Sequence, residues 1–220
     1  MERIIEGVAR FQAEVFPGLQ LHYHQLASQQ RPEALFITCA DSRVVPDVIT
    51  QASPGDLFIC RNAGNIVPSY GEMHGGVSAT IEYAVTALGI QHIIVCGHSD
   101  CGAMKGILHP EKLEDMPAVA TWLRYGDVAR RVVRETQGEL PDTQLLPRVT
   151  EQNVIAQLAN LRTHPSVAAR LAQGSLQLHG WMYHIATGLV ESYDPSERRF
   201  LPLRSTDNTP SPEPTFSRVA

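Results

Sequence analysis

Two short apolar runs, each ending in a soft metal ligand, constrain this chain more than anything else in it. The first is Ala34-Leu-Phe-Ile-Thr-Cys39, followed by Asp41 and Arg43. The second is His92-Ile-Ile-Val-Cys-Gly-His98, followed by Cys101. Each reads as a buried strand. In open α/β sheets, functional residues gather where neighbouring strands end at their carboxyl edge. Two such strands side by side would bring Cys39, His98 and Cys101 around one point. Two thiolates and an imidazole are a zinc ligand set that leaves a fourth position free. Taken singly, each feature also has an ordinary reading as core packing, since free cysteine is among the most buried residue types. Their shared position at strand ends favours the site. On an extended chain Cys39, Asp41 and Arg43 point the same way.

Four segments then carry a resemblance: Cys39-Ala-Asp-Ser-Arg43, Arg61-Asn-Ala-Gly-Asn65, Ile81-Glu-Tyr-Ala84 and Gly97-His-Ser-Asp-Cys-Gly102. In this order they resemble the β-class carbonic anhydrases, from about Met1 to about Asp194. Met1-Glu-Arg-Ile-Ile-Glu-Gly and Leu178-His-Gly-Trp-Met-Tyr183 are most similar to the cyanobacterial, carboxysome-associated branch. The resemblance implies reversible hydration of CO2 to bicarbonate and a proton, with one Zn2+ per chain on Cys39, His98 and Cys101. Asp41 would accept a hydrogen bond from the reacting water, and Arg43 would hold Asp41 by a bidentate ion pair. In some members the equivalent aspartate swings onto the metal, so Asp41 is a possible fourth ligand in a closed state. Gln30, Phe58, Tyr83 and the Gly102 amide would shape the CO2 pocket, with Gln30 reaching across a dimer interface. Members with a regulatory bicarbonate pocket carry Trp where this chain has Phe36, beside an Arg like Arg61 and a Tyr like Tyr183. The substitution argues against that pocket here. Two rival functions share the same residues: a same-fold zinc hydrolase of a CO2 analogue such as carbon disulfide, and a non-catalytic zinc assembly module.

The expected fold is α/β, a mainly parallel sheet flanked by helices, with an N-terminal helical arm and an antiparallel C-terminal strand. Residues 1–204 form the catalytic domain, and 1–28 are its arm. Ile4, Val8, Phe11 and Val15 repeat at helical spacing, and Pro17-Gly18 is expected to stop that helix before a second one over 19–28. The resemblance implies that the arm wraps a second subunit, making a homodimer or larger homo-oligomer. Gly97 is expected to break the third strand before His98, and Val119 to Glu135 to form one helix. Residues 205–220 hold Pro210, Pro212 and Pro214 with little to bury, and are expected to be disordered. That segment is a candidate contact for a carboxysome shell or scaffold protein. A net charge of −5 argues against nucleic-acid binding. No apolar run approaches the ~20 residues of a membrane span. Thiolate ligation and four irregularly spaced cysteines point to a reducing cytoplasm, with a carboxysome as a narrower location.

Overall fold

The computed structural model describes residues 1–72, 75–138 and 140–204. The expected tail, 205–220, lies outside the described residues.

Strands β1 (Ala34–Cys39), β2 (Leu57–Asn62), β3 (His92–His98) and β4 (Gln177–Tyr183) pair in parallel. Two further strands, β5 (Val190–Asp194) and β6 (Arg199–Pro202), add antiparallel at one edge. The order is β2-β1-β3-β4-β5-β6, with α3 (Pro46–Thr50) between β1 and β2 and α4 (Gly76–Glu82) between β2 and β3. Every residue of β1 is buried, as the continuous apolar run requires of a strand covered on both faces. Alternation then divides the layers. Leu35, Ile37, Ile93 and Val95 join one core cluster, while Phe36, Ile94 and Cys96 join another with Trp181 and Tyr183. The expected single antiparallel strand is two strands. The short run Arg199–Pro202 carries too little alternation to announce β6.

Gly97 does not break β3, which runs regularly to His98. It is glycine because neighbours press on it. A Cβ there would meet Val154 Cγ2 at 2.8 Å and Met182 Sδ at 2.9 Å. Gly180 on β4 lies under the same helix, where a Cβ would meet Val154 Cγ1 and Leu158 Cδ1, each at 2.9 Å. Val154 and Leu158 belong to α8 (Asp142–Leu161), which therefore sits directly on the sheet.

The arm also departs from expectation. Glu2–Arg10 (α1) and Phe16–Leu26 (α2) are joined by a π-helical turn, Phe11–Val15, so Pro17 does not stop the helix. Pro17 lies in the first turn of α2, where its missing N–H is not needed. The Phe16 N–H bonds five residues back to Phe11 O, which widens the turn ahead of the ring. No residue of α1, the π turn or α2 is buried. His22 Nε2 donates to Pro54 O at 2.7 Å and holds the arm at its C-terminal end. The segment expected as one helix is two, α6 (Pro117–Leu123) and α7 (Asp127–Gln137), separated by a 3-10 turn at Arg124–Gly126. A Cβ on Gly126 would meet Ile107 Cδ1 at 2.7 Å, so the chain turns where it presses against α5 (Gly102–Leu108). Among the described residues, no helix is long and apolar enough to cross a membrane.

Candidate active site

The site lies at the carboxyl edge of the parallel strands. Cys39 ends β1, His98 ends β3, and Cys101 is the residue before α5. β1 and β3 are direct neighbours, so chain direction and register alone bring these ends together. The ligand atoms of Cys39, His98 and Cys101 lie within 4.8 Å of one another, and all three residues are buried. Among the described residues this is the one such group of three or more His, Cys, Asp or Glu.

Three observations show that a metal ion fits. The sulfurs of Cys39 and Cys101 are 3.9 Å apart, close to the edge of about 3.8 Å expected for a tetrahedron of metal–sulfur bonds near 2.3 Å. His98 Nδ1 donates to Ser99 O at 2.9 Å, which fixes the tautomer and leaves the Nε2 lone pair free. That Nε2 is buried and has no hydrogen-bond partner, an orphan that would be costly without a ligand. Hydrogen bonding from Cys101 favours the Cys39 thiolate, and the same bond, with burial, holds Cys101 as the thiol. A positive ion would relieve this by taking both as thiolates.

Asp41 stands beside the cluster, with Oδ2 3.9 Å from His98 Nε2. Arg43 takes the carboxylate with both sides of its fork: Nε donates to Oδ1 at 2.9 Å and Nη2 to Oδ2 at 2.8 Å. The Arg43 backbone N–H adds a third bond to Oδ1 at 3.0 Å. This guanidinium holds the Asp41 carboxyl well below the usual carboxylate range. Arg43 is fixed in turn by Asp100, whose Oδ2 accepts from Nη1 at 3.2 Å. Asp100 also pairs with Lys105, and its φ is +59°, a turn conformation that swings the chain from β3 into α5. Arg61, from β2, clasps the backbone between ligand and dyad: Nε donates to Cys39 O at 3.1 Å and Nη2 to Asp41 O at 2.7 Å.

Asp100 and Arg61 are the site residues that the sequence did not single out for this work. Their signals were present, since Asp100 lies inside Gly97-His-Ser-Asp-Cys-Gly102 and Arg61 heads its own motif, but only the register shows what each touches. Gly102, whose amide was expected to face substrate, opens α5 beside Cys101. Gln30, Phe58 and Tyr83 are not brought to this edge. Gln30 is exposed ahead of β1, and Phe58 pairs with Leu35 in register, four residues before Asn62 opposite Cys39. At 3.3 Å per residue that is about 13 Å from the site end. Phe58 and Tyr83 do meet each other, with ring centroids 5.9 Å apart, and Tyr83 is 51% exposed. Cys60 and Cys96 stay out of the cluster. Burial raises the Cys60 thiol and pushes Cys96 up to about 12.

A mainly parallel sheet that brings two thiols, an imidazole and a carboxylate–guanidinium dyad to one strand edge is an α/β fold with a site able to hold a metal ion. The family model described as "Carbonic anhydrase" matches residues 34–190. The chain is 51% identical to a Pseudomonas aeruginosa carbonic anhydrase over 203 residues, covering 92% of each protein. It is 44% identical to a Synechocystis carbonic anhydrase over 218 residues, covering 99% of this chain and 80% of that one. The solved structure of the β-carbonic anhydrase CcaA superposes with a TM-score of 0.91 at 45% identity, covering 94% of this chain and 93% of that one. The chain belongs to the β-class carbonic anhydrases.

Proposed function

We propose that the chain interconverts CO2 and bicarbonate with one Zn2+ held by Cys39, His98 and Cys101. The buried, unpartnered His98 Nε2 beside two sulfurs is the observation that carries the ligand assignment. When bound there, zinc supplies a Lewis acid that lowers the pKa of the attacking water. Two thiolates and a neutral imidazole leave it without net charge, so the protein must assist proton loss. Asp41 does this. Its carboxylate, kept ionised by Arg43, accepts the hydrogen bond of the attacking water and orients its lone pair toward CO2. Arg43 and Asp100 prevent Asp41 from turning into the cluster, which keeps the fourth position open. The Gly102 amide, at the start of α5 beside Cys101, helps shape the CO2 side of the pocket.

The apolar half of the pocket comes from a second copy. Phe58 and Tyr83 meet each other away from this chain's own cluster, and with Gln30 they complete a neighbour's site in a homodimer. The exposed arm supports this reading, because Ile4, Ile5, Val8 and Leu21 are 52–75% exposed with no cover of their own. A reducing cytoplasm suits the four free cysteines. The Synechocystis relative supports carbon fixation as the consumer of the product. The segment expected to meet a shell or scaffold partner, 205–220, lies outside the described residues.

Asp41→Asn tests the reading. The variant keeps zinc, measured by metal analysis, and loses CO2 hydration by about 100-fold or more, the scale of general acid–base assistance. Wild-type turnover in this variant would remove Asp41 from the mechanism.

A further inference from the structure

The loop after β2, residues 63–70, has few ladder partners for its backbone, and side chains from two helices take their place. Trp122 Nε1 on α6 donates to Ala63 O at 2.8 Å. From α8, Asn153 Nδ2 donates to Gly64 O at 3.0 Å, Gln157 Oε1 accepts from Val67 N at 2.8 Å, and Asn160 Nδ2 donates to Val67 O at 2.9 Å. Gln157 Nε2 donates to Asn153 Oδ1 at 2.8 Å, so the amides form a ladder along one helix face. Asn153 and Gln157 are fully buried. Polar side chains are costly there unless fully satisfied, and this ladder is satisfied by backbone of the loop.

The loop has one direct link to the metal ligands. The Gly64 N–H donates to Cys39 Sγ at 3.4 Å. The same residue is therefore held by Asn153 through its C=O while it addresses the thiolate through its N–H. Its φ is +83°, and a Cβ would lie 2.9 Å from Ala103 Cβ and 3.0 Å from Met104 Cε, so the residue is pressed onto the start of α5 in a glycine-only conformation.

We propose that Asn153 is a positioning residue for the metal site: it aims the Gly64 N–H at the Cys39 thiolate and thereby sets how much charge that sulfur gives the metal. This rests on Cys39 being a metal ligand. An N–H···S bond draws charge from the sulfur, which leaves the metal a stronger Lewis acid. Losing it raises the sulfur lone pair in energy.

The test uses the full chain loaded with Co2+ and reads the thiolate-to-cobalt charge-transfer band. Asn153→Ala moves the band to longer wavelength and weakens zinc affinity by about tenfold, as supporting-residue changes do. Asn160→Ala, which frees the Val67 carbonyl and leaves Gly64 held, does not move the band. An unmoved band in Asn153→Ala, or an equal shift in Asn160→Ala, overturns the proposal. Should Asn153→Ala fail to fold, the wild-type chain loaded with cadmium-113 decides. The Gly64 amide proton then shows scalar coupling to cadmium through Cys39 Sγ, and the absence of coupling at Gly64 overturns the proposal. A chain that shows the band response yet hydrates no CO2 sinks the proposed reaction and leaves this inference standing. A chain that takes up no metal at Cys39 sinks both.

Discussion

Cys39 and Cys60 are both buried cysteines on neighbouring strands, yet only one joins the metal cluster. Cys39 ends its strand, where the sheet stops and candidate ligands from β3 and the turn before α5 converge. Cys60 pairs in register with Ile37, two residues back, inside the core. Cys39→Ser is expected to lose zinc and activity, whereas Cys60→Ser keeps both; metal analysis of the two variants checks this. Asp41 gives a second prediction at this scale. Its folded pKa is depressed by Arg43, so the ion pair contributes stability above the unfolded carboxyl range near pH ~3.9 and loses it as pH falls through the lower folded value. The difference in urea midpoint between wild type and Asp41→Asn should be constant from pH 8 to pH 5 and shrink in stronger acid. A difference that grows on acidification would contradict the pairing. Phe36 gives a third. Phe36 lies edge-on to Trp181, with ring centroids 5.9 Å apart, and Arg61 is engaged with the carbonyls of Cys39 and Asp41. Bicarbonate should therefore not inhibit through a second site near Phe36, Arg61 and Tyr183. Sigmoidal bicarbonate inhibition abolished by Arg61→Ala would contradict this.

At the scale of elements, helix α8 holds the account together. One face packs Val154 and Leu158 onto the glycines of β3 and β4, and an adjacent stripe of amides fastens the 63–70 loop. Gly97→Ala should destabilise the fold by about 1–3 kcal/mol, the range for overpacking a closed core. Chemical denaturation measures it, and an unchanged midpoint would mean that α8 moves aside at no cost. The strands that carry the ligands were legible in the sequence because continuous apolar runs ending in polar groups mean buried parallel strands, whatever surrounds them. Cys39, His98 and Cys101 were legible for the same reason. What stayed hidden depends on contact between distant segments. Gly97 has the composition of a strand breaker and becomes a close-approach residue only under Val154. Pro17 looks like a helix stop until a π turn makes room for it. Arg61 and Asp100 carry no local sign of the groups they hold.

At the scale of the whole molecule, the proposed pocket draws on two protomers. The candidate metal ligands and the dyad are at the carboxyl edge of the sheet, while Phe58 and Tyr83 pack together toward the opposite edge and the arm buries nothing of its own. Removing residues 1–26 should dissociate the oligomer, seen by sedimentation, and abolish hydration while the cluster still binds metal. An active truncated monomer would show that the pocket is complete within one chain. The central claim is that Cys39, His98 and Cys101 hold the metal that hydrates CO2. Stopped-flow CO2 hydration on purified chain, stripped by chelator and then titrated with Zn2+, tests it most directly. The account predicts no catalysed rate in the stripped protein and recovery that saturates at one Zn2+ per chain. It also predicts that zinc-loaded Cys39→Ser recovers nothing. A stripped chain that hydrates CO2 at the loaded rate, or a loaded chain that leaves CO2 alone and hydrolyses carbon disulfide, would contradict it.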